Sequence, residues 1–158
     1  MGVDAVVVLA AGAGTRMKSA LPKVAHPILG IPLVEHVLRA ARLLSPSATV
    51  CVVGHGREAV SACVLTSDPG ARLVVQEQQN GTGHAMRIAL TALPDLAQGS
   101  VLVLAGDTPL LTAETLSALA REHAAAGASV TVLTSLVENP HGYGRIVRGA
   151  DGLVLRIV

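Results

Sequence analysis

The chain has 158 residues, of which 51% are hydrophobic and 15% charged, and its formal net charge is +1. That length suits one domain with a sizeable core, and that composition excludes a disordered segment. A near-neutral balance, with Tyr143 as the lone aromatic residue, also argues against a nucleic-acid surface built from cations and stacking rings. The first predicted element is a buried strand through Val6, Val7, Val8 and Leu9. It breaks at Ala10, Ala11 and Gly12 into a glycine loop carrying the cations Arg16, Lys18 and Lys23. Gly12 and Gly14 have no Cβ, so the backbone can adopt φ > 0 and bring N–H groups close to an anion. The pattern reads as a phosphate cradle, and an ordinary turn with surface cations is its alternative. A Walker loop does not match, and Met17 stands where a dinucleotide fingerprint needs its third glycine.

Pro22 and Pro27 are expected to keep the chain extended before any helix begins. Pro32 then suits the first turn of a helix whose apolar positions Leu33, Val34, Val37, Leu38, Ala41 and Leu44 recur at helical spacing, with Pro46 as its stop. Residues 49–53 read as a second strand, and Gly54, His55 and Gly56 as its exit into a short helix. Asp68, Pro69 and Gly70 make a turn, residues 72–76 a third strand, and a loop to Gly83 leads to a helix over about residues 84–93. Residues 101–104 form a fourth strand running into Ala105, Gly106 and Asp107. Thr112 caps the next helix and Gly127 closes it. Residues 129–136 read as a fifth strand. Residues 145–148 and 153–158 then read as a hairpin among Gly142, Gly144, Gly149 and Gly152.

Strands alternating with helices predict a mainly parallel, twisted sheet covered on both faces. Ligands of such sheets bind beyond the carboxyl ends of the strands. The glycine loop, residues 76–82 and Asp107 all fall at those ends. Gln76 offers an amide donor and acceptor suited to a pyrimidine edge, although an amide can flip, so it does not choose between uracil and cytosine. Asp107 is placed to anchor a metal ion, or else to bond its own backbone toward Thr108 and Pro109. Cys51 and Cys63 lack metal-ligand spacing and read as reduced core thiols. The histidines are scattered, and His84 at a helix start reads as structural. No apolar run approaches a membrane span and no leader pattern is present, which predicts a soluble, cytoplasmic protein without a membrane or nucleic-acid partner.

Four motifs carry a resemblance across essentially the whole chain. They are L-A-A-G-x-G-T-R-M with x-x-x-x-P-K-V at residues 9–24, Q-x-x-x-x-G-T-G-H-A-M at 76–86, G-D-T-P-L at 106–110 and P-x-G-Y-G-R-I at 140–146. In this order they resemble the sugar-phosphate nucleotidylyltransferases. Within them they are most similar to the uridylyltransferase domain of the bifunctional N-acetylglucosamine-1-phosphate uridylyltransferases / glucosamine-1-phosphate acetyltransferases.

The resemblance implies a Rossmann-like nucleotidyltransferase fold ending in a β-hairpin, with UTP and N-acetylglucosamine 1-phosphate as substrates and Mg²⁺ as cofactor. It places Leu9, Ala10, Ala11, Gly12, Lys23, Gln76, Gly81, Thr82, Ala105, Gly106 and Asp107 against the nucleotide, with Asp107 as metal ligand. Arg16 steadies the leaving pyrophosphate, Lys23 bridges phosphates, and Gly144 holds the N-acetylated sugar. It further implies that residues 1–158 are a domain incomplete at its C-terminus, lacking later sugar and metal ligands and the acetyltransferase β-helix, so no homo-oligomer is implied. Another nucleotidylyltransferase of the same fold, and a nucleotide-binding remnant without turnover, are the alternatives.

Overall fold

The computed structural model describes residues 2–14, 17–93 and 99–158. From the N-terminus, β1 (Ala5–Ala10) leads through the glycine loop to a small hairpin, β2 (Pro27–Ile28) and β3 (Ile31–Pro32), and then to α1 (Leu33–Arg42). The chain continues through β4 (Ala48–Val53), α2 (Arg57–Ser67), β5 (Arg72–Val75), α3 (Gly81–Ala92), β6 (Val101–Ala105) and α4 (Ala113–Ala126). An antiparallel pair, β7 (Ile146–Arg148) and β8 (Val154–Ile157), follows. The main sheet has the order β5-β4-β1-β6 and every pairing in it is parallel.

A parallel strand covered on both faces needs apolar side chains in both directions, and β1 supplies them. Val6, Val8 and Ala10 pack with Val34, Val37 and Leu38 of α1, Val60 and Val64 of α2, and Leu116 of α4. Val7 and Ala11 face the other way, onto Ala85 and Ala89 of α3. In α1 the apolar residues at i, i+3 and i+4 spacing are all buried. Thr112 Oγ1 accepts from the Thr115 N–H at the start of α4, and Gly127 ends that helix at φ 56°. Both caps fall at the residues expected from sequence.

Cys51 lies wholly inside the core on β4, where burial first and the charge of Asp68 second push its thiol up to about 12. Cys63 on α2 is free as well and packs against the same cluster. Among the described residues no helix is long and apolar enough to cross a membrane.

Four features differ from the sequence expectation. The expected fifth strand at residues 129–136 is irregular backbone. Its apolar alternation is present, but strand geometry persists only when a neighbour takes up the backbone hydrogen bonds, and the main sheet stops at β6. Val130 and Leu136 are therefore exposed. Helix α3 begins at Gly81, three residues before the expected start, because a buried side chain holds its first turn. Between Pro22 and Pro27 the backbone fits one 3-10 turn, Lys23–Ala25, instead of staying extended. The hairpin of β2 and β3, turning through Leu29 and Gly30 at φ 52° and 79°, was not expected from sequence.

The exit from β4 depends on Gly56. Its φ of 61° is left-handed, and a Cβ there would collide with Cγ of Pro22. Gly56→Ala is expected to destabilise the fold by about 2 kcal/mol, combining a left-handed penalty of about 1–2 kcal/mol with displacement of Pro22. At this chain length that is a fall of about 4–8 °C in Tm, read by scanning calorimetry.

Candidate functional site

All four strands of the main sheet end on the same side, and hydrogen bonds join those ends to one another. The Gly106 N–H donates to Leu9 O at 2.9 Å, linking the end of β6 to β1. The Gln76 N–H donates to Val53 O at 2.8 Å, linking the end of β5 to β4. Ala11 O accepts from the His55 N–H at 3.3 Å and from Gln79 Nε2 at 2.9 Å. Strand-end residues far apart in sequence thus form one surface.

The glycine loop uses its glycines differently from each other. Gly14 has φ 60°, and a Cβ on it would stand 2.6 Å from Cβ of Lys23. Only a glycine permits so close an approach of the loop to Lys23. Gly12, which could take a positive φ, does not; it is exposed, and among the described residues beyond its chain neighbours nothing lies within 4 Å of where its Cβ would be. Gly106 is close-packed against Leu9 O, Ala10 and Val24. Gly54, to which sequence assigned only a turn, would carry its Cβ 2.9 Å from Ala11 O and 3.2 Å from Gln76 O.

Lys23 is placed by the 3-10 turn, whose Val24 and Ala25 are buried and anchor it from below. Its Nζ lies 2.5 Å from Oδ2 of Asp107, with the two side chains 41% and 32% exposed. The carboxylate of Asp107 therefore reaches across 84 residues of sequence to a cation. The turn at Asp107 is closed by the Thr108 hydroxyl, which donates to Ala105 O at 2.8 Å. A half-exposed ion pair contributes about 0–1 kcal/mol, so it opens readily for stronger partners. A magnesium ion is commonly held by one or two carboxylates together with phosphate oxygens and waters. Asp107 fits that donor set, since it already holds positive charge at the mouth of the glycine loop. Among the described residues no group of three His, Cys, Asp or Glu side chains surrounds a common point.

Gln76 is buried, and its Nε2 donates to Gly81 O at 3.1 Å and lies 3.2 Å from Nδ1 of His84. That Nδ1 is also 3.1 Å from Gln78 O, so its tautomer decides which neighbour it engages. The amide nitrogen thus fastens the first turn of α3. Gly81 and Thr82 stand at the N-terminus of α3, where unpaired N–H groups and the helix dipole favour electron-rich partners.

Arg16 lies outside the described residues. Gly144 is not brought to the strand ends by any hydrogen bond: those of residues 138–158 stay inside that segment among the described residues. Two residues without an assignment from sequence, Gly54 and Gln79, help to assemble the site.

Residues 6–149 match the family model described as MobA-like NTP transferase domain. The chain is 59% identical over 98% of its length to the bifunctional protein GlmU of Streptomyces avermitilis, and it spans about a third (32%) of the length of that protein. Among solved structures it is similar to HddC from Yersinia pseudotuberculosis, with TM-score 0.71 and 21% identity over 100% of this chain and 69% of the other. It is also similar to Rv0371C from Mycobacterium tuberculosis in complex with manganese, with TM-score 0.60 and 26% identity over 80% of this chain and 60% of the other. A family match over 6–149 spans the glycine loop, the strand-end hydrogen bonds and the Lys23–Asp107 pair alike, and on that extent the chain belongs to the MobA-like NTP transferase domain family.

Proposed function

We propose that this chain binds UTP at the carboxyl ends of its strands and transfers the uridylyl group to N-acetylglucosamine 1-phosphate. The observation that supports the reading is the contact between Lys23 and Asp107 at the mouth of the glycine loop, which brings together the cation assigned to the phosphates and the carboxylate assigned to the metal. The motifs at residues 9–24, 76–86 and 106–110 supply the choice of substrates, and the high identity to a protein named GlmU supports it. The manganese bound to the Mycobacterium tuberculosis neighbour supports a divalent ion, for which Mg²⁺ is the family choice.

In the reaction an oxygen of the sugar 1-phosphate attacks the α-phosphorus of UTP. A phosphorus–oxygen bond forms, the bond from that phosphorus to the bridging oxygen breaks, and pyrophosphate leaves with the electron pair. The attacking phosphate is already largely ionised at neutral pH, so no general base is needed. Positioning and charge neutralisation do the work. Lys23 leaves Asp107 for the phosphate oxygens, offering a compact charge on a flexible stem. Asp107 would hold the metal ion, which would supply neutralisation of charge on the phosphate oxygens. Arg16 is assigned to the departing pyrophosphate, with its planar fork. The backbone from Leu9 through Ala10 and Ala11 to Gly12, and at Ala105 and Gly106, lines the nucleotide; Gln76, Gly81 and Thr82 meet the base, and Gly144 meets the sugar.

A binding-only reading is favoured by one observation, the absence of any hydrogen bond from the segment carrying Gly144 to the strand ends among the described residues. Pyrophosphate release with UTP, CTP or GTP, each with Mg²⁺ and N-acetylglucosamine 1-phosphate, tests both. Release with UTP far above the other nucleotides is expected. UTP binding without release supports the binding-only reading, and a folded chain that neither binds nor turns over any of the three contradicts both.

A further inference from the structure

Two side chains pin the loop between β5 and α3, one to α2 and one to the carbonyl of Ala11. Glu77 is held by Arg57 of α2 at 3.1 Å, an exposed pair with side chains 54% and 77% accessible, which tethers weakly. The second tether differs in kind. Gln79 Nε2 donates to Ala11 O at 2.9 Å across 68 residues, in a part-buried position. Ala11 itself is buried, its carbonyl also receives the His55 N–H, and Gly54 leaves no room for a Cβ beside it. The peptide that follows this carbonyl belongs to Gly12, where the backbone becomes exposed and, among the described residues beyond its chain neighbours, nothing lies within 4 Å of a Cβ built there.

A carbonyl and the N–H of the next residue share one rigid peptide plane. Fixing Ala11 O therefore fixes the direction in which the Gly12 N–H points. Glycine alone does not supply this direction, because a residue without a Cβ has the widest choice of backbone states. An amide nitrogen suits the task. It donates to a carbonyl, as a carboxylate or thioether of the same length does not, and it brings no charge of its own to the phosphates.

We propose that Gln79 is a positioning residue for the nucleotide: by holding Ala11 O it orients the Ala11–Gly12 peptide so that the Gly12 N–H faces the bound triphosphate. The proposal rests on the nucleotide reading given above. It separates Gln79 from the residues that touch substrate, since its contact is with the protein backbone. It also explains why an exposed loop residue spends its side chain on a carbonyl that already has one donor.

The test is UTP affinity in the presence of Mg²⁺, measured by calorimetry for this chain and for Gln79→Met and Gln79→Glu. Met keeps the length and bulk of the side chain and removes the donor. Glu keeps the length, removes the donor and sets a negative charge beside the carbonyl and the phosphates. Losing one neutral hydrogen bond predicts a UTP affinity roughly five- to tenfold weaker for Gln79→Met, and weaker again for Gln79→Glu. Tm is expected to stay within about 1 °C of the parent, since a substitution on an exposed loop away from the core has little effect on stability. Where turnover is measurable, KM for UTP should rise by the same factor with kcat and KM for the sugar phosphate unchanged. UTP affinity equal to the parent's in both variants overturns the proposal. So does an affinity loss that tracks a fall in Tm, because the role would then be purely structural. A folded parent chain that does not bind UTP at all overturns the nucleotide reading itself, an outcome distinct from failure of the variants.

Discussion

Replacing Asp107 with alanine is expected to lower pyrophosphate release about a hundred- to a thousandfold at saturating UTP, the usual effect of removing one preorganised electrostatic group from a phosphoryl-transfer site. Asp107 sits just past the end of β6, in a turn held by the Thr108 hydroxyl and by the Gly106 N–H on Leu9 O. None of those bonds uses the carboxylate, whose hydrogen-bond partner is Lys23. The fold should therefore tolerate the change, with a Tm close to the parent's, because a half-exposed ion pair contributes only about 0–1 kcal/mol. Asp107→Asn separates charge from shape. If the carboxylate holds a metal ion, Asn fails nearly as badly as Ala, whereas a hydrogen-bonding role in the turn would be rescued by Asn. Steady-state pyrophosphate release for the three proteins, with Tm in parallel, decides between these.

Lys23→Ala is expected to move two affinities in opposite directions. In the free protein the ammonium of Lys23 lies on the carboxylate that would receive the metal, at 2.5 Å. Removing it leaves Asp107 without its positive neighbour, so Mn²⁺ alone, followed by the loss of the free-ion EPR signal, should bind several-fold more tightly, consistent with a pair worth about 0–1 kcal/mol. UTP with Mg²⁺ should bind roughly ten- to a hundredfold more weakly, because a charged hydrogen bond to phosphate is worth about 1.5–3 kcal/mol. Lys23→Arg should recover part of the nucleotide affinity, since the wider, planar guanidinium retains the charge without the compact ammonium geometry. If both affinities fall together in Lys23→Ala, Lys23 is not a placeholder for the metal.

The order of the main strands and helices was legible because each alternation of period, from runs of Val and Leu to helical spacing with Ala and Leu, is strong where both sheet faces are buried. Val6, Val7 and Val8 are all fully buried on β1, which is why that strand could be read without ambiguity. The strand-end position of the site followed from the same pattern, since Gly12, Gln76 and Asp107 each interrupt an apolar run. What could not be read locally was set by partners distant in sequence. Residues 129–136 have strand-like alternation but pair with no strand among the described residues. The start of α3 at Gly81 lacks a side-chain cap at Asn80, and the buried amide of Gln76 secures that turn instead. The hairpin of β2 and β3 turns through Leu29 at positive φ, a conformation that residue type disfavours. The pairing of Lys23 with Asp107 and the tether from Gln79 to Ala11 join residues 84 and 68 positions apart, and only the folded sheet brings them together.

The most direct measurement is a map of backbone amide shifts as Mg²⁺ and UTP are added to the isotopically labelled chain. The site described here predicts saturable shifts at Gly12, Gly14 and Lys23, at residues 76–82 and at Gly106 and Asp107, with the N-terminal ends of the strands unmoved. Shifts confined to the opposite end of the sheet, or none at UTP concentrations well above those at which relatives of this kind work, would contradict the claim that these three loops form one nucleotide site.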